Sequence, residues 1–306
     1  MKSAMTNRWG RAMRWPFLTG SIVPVFAGTG MAWLTDRAFS PARFGLAAAG
    51  LCCLHVAANT LNDYFDHRTG NDEANRRFSP FNGGSRVIQE GLILPAQMLR
   101  LGLAFLAAGF LVGAVFTLWT ANAVIPVLGG IGLVSIVGYT AFPVALGYRG
   151  LGEILVGLNF GPLSVLGSAY VQTGRVDWTT LWAGIPVGCL IAAVLLVNEI
   201  PDVEADASVS KKTWVVRYGE KASVGIAILL YGTAFMTVLA GVAVGGLPLP
   251  CLVILPSLVL AVRAAAALLR NLAGRPCSTL ASGLTIQLHL SFGLLLTAGL
   301  VAGSWC

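Results

Sequence analysis

The sequence predicts an all-α integral membrane protein with nine transmembrane helices. Hydrophobic residues make up 56% of the 306-residue chain and charged residues only 11%, whereas a soluble domain carries about 25% charged residues. The apolar residues also fall into runs of roughly 20, the length that crosses a bilayer once. This composition excludes the soluble fold classes and predicts a lipid bilayer as the surroundings of the protein.

The nine apolar runs define the predicted spans in order. They lie near residues 15–35, 44–64, 98–119, 123–142, 153–172, 179–200, 222–243, 248–269 and 279–302. The first run follows basic residues, as in a signal peptide, but it lacks a convincing small-residue cleavage site and is long enough to span. We therefore predict a single domain over residues 1–306, preceded by a cytoplasmic segment at 1–14.

Lysine and arginine are distributed unevenly between the two sides of the predicted bundle. With the N-terminus in the cytoplasm, 17 of the 20 basic residues fall on the cytoplasmic side, and only Arg37, Arg43 and Arg175 fall on the other. Positive charge collects in cytoplasmic loops. We therefore expect a multi-pass protein of the cell inner membrane with a cytoplasmic N-terminus. The net charge of +7 follows from this topology, and no nucleic-acid partner is expected.

Acidic residues are concentrated in two stretches, at the ends of the second and sixth predicted spans. Eight of the 13 acidic residues lie there: Asp63, Asp66, Asp72, Glu73, Glu199, Asp202, Glu204 and Asp206. Charge at the mouth of an apolar helix is costly unless an opposite charge is held there. Both spans are even-numbered, so both stretches face the cytoplasm and are expected to act on one ligand.

Asparagines accompany the acids at helical spacing. Residues four apart share a helix face, which pairs Asn62 with Asp66 and, on the neighbouring strip, Asn59 with Asp63. The second stretch repeats the interval, although a proline is expected to perturb its last turn; the residues are Asn198, Asp202 and Asp206, with Pro201 between them. Two such clusters on one side predict a shared binding site.

Oxygen ligands without cysteine or histidine favour Mg²⁺, which binds through a few carboxylates and substrate phosphates. The loops beside the two clusters are rich in basic residues: Arg68, Arg76, Arg77, Arg86, Lys211, Lys212 and Arg217. Carboxylates, Mg²⁺ and basic side chains together indicate a diphosphate site, with a membrane cavity behind it for a hydrophobic tail. The alternative for each basic residue is a charge that only sets topology. His55 and His289 are interpreted as packed histidines rather than ligands.

The two clusters form a recognisable pair of motifs. Asn62 and Asp66 occupy the first two places of an Asn-x-x-x-Asp-x-x-x-Asp pattern, Gly70 occupies the third, and Asp72 follows. The second motif runs from residue 198 to 217. This pair resembles the UbiA superfamily of intramembrane aromatic prenyltransferases, and most of all its MenA-like branch, which acts on 1,4-dihydroxy-2-naphthoate. Three further stretches, 83–91, 139–143 and 148–162, are similar to that branch, so the resemblance covers residues 15–303.

The resemblance implies a nine-helix bundle around a central cavity that opens toward the cytoplasm and the lipid. It also implies two Mg²⁺ ions that bridge an isoprenyl diphosphate. The implied ligands are Asn62, Asp66 and Asp72 for one ion, and Asn198, Asp202 and Asp206 for the other. The implied substrate-binding residues are Asn59, Asn62, Arg68, Arg86, Asn198, Lys211, Lys212 and Arg217. The implied catalytic residues are Asp63, Asp66, Asp202 and Tyr139.

The implied reaction is Mg²⁺-dependent transfer of an isoprenyl group from a polyprenyl diphosphate to an aromatic ring. In this reading the face of Tyr139 stabilises the allylic cation, and Asp63 assists deprotonation of the ring. The preferred acceptor is 1,4-dihydroxy-2-naphthoate, in menaquinone biosynthesis. The chain reads Ser210-Lys211-Lys212 where the branch usually has Gly-Lys-Arg, so 4-hydroxybenzoate, homogentisate and tetrapyrroles remain alternative acceptors. A cation-coupled transporter is the alternative from another class. No obligate protein partner is predicted.

Overall fold

A computed structural model describes residues 8–305, and helices account for most of this range. Within it no β-strand forms, and Ser79 and Asn82 make only an isolated bridge. Residues 1–7 of the predicted cytoplasmic segment, including Lys2, lie outside the described residues, as does Cys306.

Within residues 8–305, nine apolar helices form the bundle, which confirms the predicted membrane fold. Eight are long enough to cross a membrane, and the ninth, Val124–Thr140, is apolar but shorter. We number them α1 (Trp15–Asp36), α2 (Pro41–Thr69), α3 (Pro95–Thr120), α4 (Val124–Thr140), α5 (Gly152–Thr173), α6 (Trp178–Glu199), α7 (Glu220–Ala243), α8 (Leu249–Leu272) and α9 (Ser278–Gly303). The first turns of α1, α6 and α8 are 3₁₀ helices.

Apolar side chains hold the helices of the bundle together. Helix α2 packs along α3, α1 lies against α5 and α9, and α6 contacts α5, α7 and α9. Phe292 of α9 is fully buried and meets Phe235 of α7 edge-on, with ring centroids 5.2 Å apart. This edge-to-face geometry is favourable for aromatic pairs. Helix α6 contacts several other spans and most of its residues are buried, so it lies in the middle of the bundle.

Helix α5 contains an irregular turn that faces α6. Residues Asn159–Leu163 form a π-helical segment, with Pro162 inside it. Gly161 lies so close to α6 that a Cβ atom there would stand 2.7 Å from the carbonyl oxygen of Gly184. Small residues allow helices in membranes to approach this closely. Single π turns occur often at functional sites, and this one brings Asn159 and Phe160 to the central cavity.

A short N-terminal helix, Arg8–Met13, braces the loop between α2 and α3 (residues 70–94). Arg11 makes two hydrogen bonds of 2.7 Å to the carboxylate of Glu90 and donates to the carbonyl oxygen of Ser85. Arg8 donates to the carbonyl oxygen of Leu92. Ala12 is buried beneath this contact, in a small apolar cluster made by Val87, Ile88, Ile93 and Met98. The N-terminal helix therefore fixes the position of this loop.

Candidate active site

A cavity of about 360 Å³ lies between helices α1 to α6 and the loops that follow α2 and α6. One end is polar and the other is apolar. The polar end is lined by Arg14, Asn59, Asn62, Asp66, Asn71, Asp72, Asn75, Asn82, Asn198, Glu199, Asp202, Asp206 and Lys211. The apolar end is lined by Leu51, Phe110, Phe116, Ile125, Leu128 and Val171, among others. The cavity thus has the two-part character expected for an amphipathic substrate.

The first motif follows the C-terminal turns of α2. Gly70 ends the helix in the left-handed conformation, at φ 78°, which glycine adopts without strain. A short helix, Asn71–Ala74, then carries Asp72 back toward the cavity. Asp66 is buried and accepts hydrogen bonds from the Tyr148 hydroxyl at 2.6 Å and from the Lys211 ammonium at 3.1 Å. The Asp66 carboxylate is therefore held from two sides.

The second motif lies in the turn after α6 rather than on one continuous helix. Helix α6 ends at Glu199, Asp202 stands in the turn beyond Pro201, and Asp206 lies on the next short helix, Val203–Ser208. This break is the perturbation that the proline predicted, since proline lacks the backbone donor that helix continuation needs. The helical interval between Asn198 and Asp202 is not kept, yet both residues still line the cavity.

Asparagine amides from the first loop hold the acids of the second motif. Asn75 and Asn82 donate to one oxygen of Asp202 at 2.6 and 2.5 Å, and the Gly83 N–H donates to the other at 3.1 Å. Asn71 donates to Asp206 at 2.9 Å. The two motifs are therefore joined at one end of the bundle, as the sequence predicted.

Lys211 is the positive charge at the centre of this acidic cluster. Its ammonium lies 3.1 Å from Asp66 and 3.6 Å from Asp206. Burial alone would lower the pKa of Lys211, but these two carboxylates outweigh burial and raise it well above its ordinary value. Burial raises the pKa of Asp206 to about 6. Burial, reinforced by the neighbouring carboxylates, also raises the pKa of Asp72. The cluster therefore favours the binding of additional positive charge.

The donor set at the polar end suits Mg²⁺. It consists of carboxylate and amide oxygens, and the buried side-chain oxygen of Asn198 has no hydrogen-bond partner among the described residues. No group of three or more acidic, histidine or cysteine side chains within residues 8–305 is arranged to hold an ion by itself. Mg²⁺ is typically bound by one or two carboxylates, with water and substrate phosphate completing the shell. The residues present therefore fit an ion that binds together with a diphosphate.

The structure divides the predicted site residues into two groups. Those that line the cavity are Asn59, Asn62, Asp66, Asp72, Tyr139, Asn198, Asp202, Asp206 and Lys211. Asp63, Arg68, Arg86, Lys212 and Arg217 are not among the lining residues. Their roles in binding or catalysis stay predictions.

The residues outside the lining have other contacts. Asp63 is buried, accepts from the Ser85 N–H at 3.1 Å and lies 3.8 Å from Arg14. Arg86 donates to the carbonyl oxygen of Asp72. Arg217 donates to the carbonyl oxygens of Lys212 and Arg149. Arg68 and Lys212 are exposed. Asp63, Arg86 and Arg217 therefore contact backbone groups near the site.

Sequence reasoning missed the residues that support the acids. Asn75, Asn82 and Tyr148 were not identified as site residues, and Arg14 was read only as a topology charge. The repeated asparagines of the first loop were a usable signal, because short amide side chains in a polar loop often serve as hydrogen-bond donors. Their partners belong to the other motif, and no spacing rule pairs residues across that separation.

Asn82 provides a test of this support. We expect Asn82→Ala to lower activity about 10- to 100-fold, the usual cost of losing a group that orients a metal ligand, and to raise the Mg²⁺ concentration needed for half-maximal rate. Asn122→Ala, in the exposed loop between α3 and α4, is the control and should leave both values unchanged. An Asn82→Ala protein with normal Mg²⁺ dependence would show that Asp202 is positioned by other contacts.

The chain is similar in sequence to a known family of enzymes. Residues 21–287 match the family model described as the UbiA prenyltransferase family. A 1,4-dihydroxy-2-naphthoate octaprenyltransferase from Mycobacterium tuberculosis is 36% identical over 217 residues, which cover 70% of each chain.

Solved structures have the same fold. The apo structure of a UbiA homolog from Aeropyrum pernix K1 matches with a TM-score of 0.62 at 21% identity, over 93% of this chain and 97% of that one. A UbiA homolog from Archaeoglobus fulgidus, bound to GPP and Mg²⁺, matches with a TM-score of 0.56 at 16% identity, over 95% of this chain and 99% of that one. At these identities the likeness establishes the helical architecture.

Proposed function

Because the chain belongs to the UbiA prenyltransferase family, we propose that it transfers an isoprenyl group from a polyprenyl diphosphate to 1,4-dihydroxy-2-naphthoate. The protein is a multi-pass membrane prenyltransferase, which sets aside the transporter alternative. The acceptor follows the relative from M. tuberculosis, named for that naphthoate. Use of Mg²⁺ follows the A. fulgidus homolog bound to GPP and Mg²⁺.

The proposal depends on one observation: the acidic cluster and the apolar residues line two ends of the same cavity. Asp66, Asp202 and Asp206 lie at the polar end, and helices α3 to α5 line the apolar end. A prenyl diphosphate has the same two-part form, with a charged head and a hydrocarbon tail. The oxygen donors of the two motifs would hold Mg²⁺ there, and we propose two ions, one for each motif.

The reaction begins with cleavage of the bond between the prenyl carbon and the diphosphate oxygen, whose electron pair leaves with the diphosphate. When bound, Mg²⁺ would neutralise the negative charge that develops on this leaving group. Lys211 adds a fixed positive charge beside Asp66 and Asp206, already oriented before the bond breaks. Such preorganised charge is usually the largest contribution to catalysis.

The allylic cation then has to survive until the acceptor ring attacks it. Tyr139 and Phe160 line the cavity, and aromatic faces attract cations. The apolar walls exclude water, which would otherwise capture the cation. The electron-rich ring forms the new carbon–carbon bond and loses a proton, or its carboxyl group as carbon dioxide.

We propose that the polar end opens on the cytoplasmic face of the inner membrane. Support comes from the charge distribution of the sequence, with 17 basic residues against 3, and from Arg14 and both motifs, which share one end of the bundle. For Arg68, Arg86, Lys212 and Arg217 we propose that they attract the diphosphate electrostatically. Arg86 donates to the carbonyl oxygen of Asp72, and the other three lie in or beside the segments that carry the two motifs. The ring-deprotonating role of Asp63 remains a proposal as well.

An acceptor panel tests the proposed function. Membranes containing the chain would receive radiolabelled geranylgeranyl diphosphate and one acceptor each: dihydroxynaphthoate, 4-hydroxybenzoate, homogentisate or a tetrapyrrole. We expect prenylated dihydroxynaphthoate, lost with EDTA and restored by Mg²⁺. Product from a different ring only would move the protein to another acceptor. Failure of every acceptor, together with the absence of Mg²⁺-dependent binding of the diphosphate, would contradict the proposal.

The apolar end of the cavity predicts a limit on prenyl chain length. A Cβ atom at Gly113 of α3 meets no other atom within 4 Å, so a larger side chain would extend into the cavity without disturbing the helix. Each buried CH₂ group contributes about 0.8 kcal/mol. Gly113→Leu should therefore weaken use of long prenyl diphosphates by about 10-fold or more and spare short ones.

The measurement for Gly113→Leu is kcat/KM across geranyl, farnesyl and longer diphosphates. Gly232→Leu is the matched control, because Gly232 of α7 also has open space for a Cβ atom but lies outside the cavity lining. It should leave chain-length preference unchanged. Equal loss with short and long substrates in Gly113→Leu would show that the tail lies elsewhere.

A further inference from the structure

We propose that Arg14, at the start of α1, binds the carboxylate of an aromatic acid acceptor and so determines acceptor specificity. The inference rests on the proposed function, since it concerns the second substrate of the same cavity. It assigns to the cavity a defined anion-binding corner, made by Arg14 with Asn59 and Asn62 on the facing helix α2.

Contacts between α1 and α2 fix the place of this corner. Arg14, directly before α1, lies 3.8 Å from Asp63 of α2, and Ser21 of α1, two turns later, hydrogen-bonds His55 at 3.0 Å. The two helices therefore run antiparallel here, because the two contacts are seven residues apart on one side and eight residues apart on α2. Asn59 lies halfway between His55 and Asp63 on α2, so it faces the first turn of α1, where Arg14 and Phe17 line the cavity.

The Arg14 guanidinium retains most of its hydrogen-bonding capacity. Its contact with Asp63 is longer than a hydrogen bond, and within residues 8–305 Arg14 donates no side-chain hydrogen bond, although its guanidinium stacks on Phe17 at 4.7 Å. The side chain is only 17% exposed. A guanidinium presents five N–H donors in a planar fork that matches a carboxylate. A mostly buried arginine with open donors is an anion-binding group.

Two neutral donors lie on the same side of the cavity. The side-chain amide nitrogens of Asn59 and Asn62 are buried and have no hydrogen-bond partner among the described residues, and both residues line the cavity. Leaving a buried donor unpaired is costly, so these amides favour a ligand that brings oxygen acceptors. Arg14 supplies the charge, and the amides supply further donors for the same ligand.

The surroundings suit an aromatic ring rather than a diphosphate. Phe17, His55 and Phe160 line the cavity, and the rings of His55 and Phe160 lie 4.6 Å apart. Along α2, His55 is 11 residues before Asp66, roughly 16 Å at the helical rise. The corner thus begins at Asn62, one helical turn before Asp66, and extends toward the interior, whereas the diphosphate is proposed at the Lys211 end. An acid anchored here would have its ring in the cavity.

The test compares acceptors with and without the carboxylate. For Arg14→Gln, we expect the KM for dihydroxynaphthoate to rise about 10- to 100-fold, the loss of a charge-assisted hydrogen bond, with the KM for prenyl diphosphate unchanged. The carboxyl-free analogue 1,4-dihydroxynaphthalene should be used equally well by wild type and variant. Arg14→Lys should be intermediate, because lysine keeps the charge but not the fork.

Arg37→Gln is the matched control. Arg37 stands at the other end of α1, has the same φ of 53°, and also stacks on an aromatic ring, Trp33, at 5.6 Å. It lies outside the cavity lining. The control should leave both KM values unchanged. If Arg14→Gln raises the KM for prenyl diphosphate, or impairs both acceptors equally, Arg14 is not the carboxylate-binding group.

A binding measurement separates this inference from the proposed reaction. Calorimetry on purified wild-type protein would use 1-hydroxy-2-naphthoate and its neutral amide, 1-hydroxy-2-naphthamide, without prenyl diphosphate. We expect the acid to bind at least about 10-fold more tightly, and Arg14→Gln to remove the difference. This result would support the inference even if dihydroxynaphthoate were not the true acceptor. Equal affinity of the wild-type protein for the acid and the amide would overturn the inference. This comparison uses only wild-type protein, so it does not depend on the folding of a variant.

Discussion

Asp66→Asn is expected to abolish prenyl transfer, with kcat/KM at least ~10³-fold below wild type. The substitution keeps the size of the side chain but removes the negative charge that faces Lys211 at 3.1 Å and the cavity. An amide oxygen is a much weaker ligand for a hard cation than a carboxylate. The hydroxyl of Tyr148 still has an oxygen to bond, so the local fold should persist.

The measurement for Asp66→Asn is product formation at saturating Mg²⁺, with expression level and thermal unfolding recorded in parallel. Asp36→Asn is the control, because Asp36 pairs with Arg175 at the opposite end of α1, far from the cavity. It should retain full activity. Near-wild-type turnover in Asp66→Asn would contradict a mechanism that depends on the Asp66 carboxylate.

Lys211→Met should destabilise the protein more than any substitution of an exposed lysine. Removing one partner of a buried ion pair typically costs about 3–5 kcal/mol, because the other charge is left unpaired. Here two carboxylates, Asp66 and Asp206, lose their common partner. Activity should fall as well, since the fixed positive charge beside the diphosphate is lost.

A double-variant cycle separates the two effects. Asp206→Asn combined with Lys211→Met removes one of the stranded charges and should recover part of the thermal stability, but not the activity. Lys221→Met, at the start of α7 and on the exposed surface, is the control for loss of a lysine. Simple additivity of the two single changes would mean that Lys211 and Asp206 do not interact energetically.

The helices were predictable because each depends on a local property. The apolar run that becomes α3 was predicted at 98–119 and is observed at Pro95–Thr120. The error was larger for α2, predicted to end at 64 and observed to continue to Thr69. There the polar residues of the motif extend the helix beyond its apolar run, until Gly70 ends it. Hydropathy detects the membrane-buried part of a helix and misses such polar extensions.

The acids of the site were predictable from composition, whereas their partners were not. Asp66 and Asp202 stand out because carboxylates are rare at the ends of apolar helices. Arg14 does not stand out, since an arginine before a first span is ordinary. Its position in the cavity depends on the antiparallel contact of α1 with α2, which is a tertiary property. The same holds for the pairing of Asn75 with Asp202.

The exchange of hydrogen bonds between the two loops has a consequence for biogenesis. Asn71 and its partner Asp206 are 135 positions apart, and Asp66 depends on Lys211, 145 positions later. While the ribosome is still making α3 to α5, Asp66 lacks the Lys211 ammonium that neutralises it in the finished protein. The catalytic centre is therefore assembled only after α6 has been inserted and its following loop has been translated. A nascent chain arrested before that point would already be anchored in the bilayer, yet it would be chemically incompetent and exposed to membrane quality control.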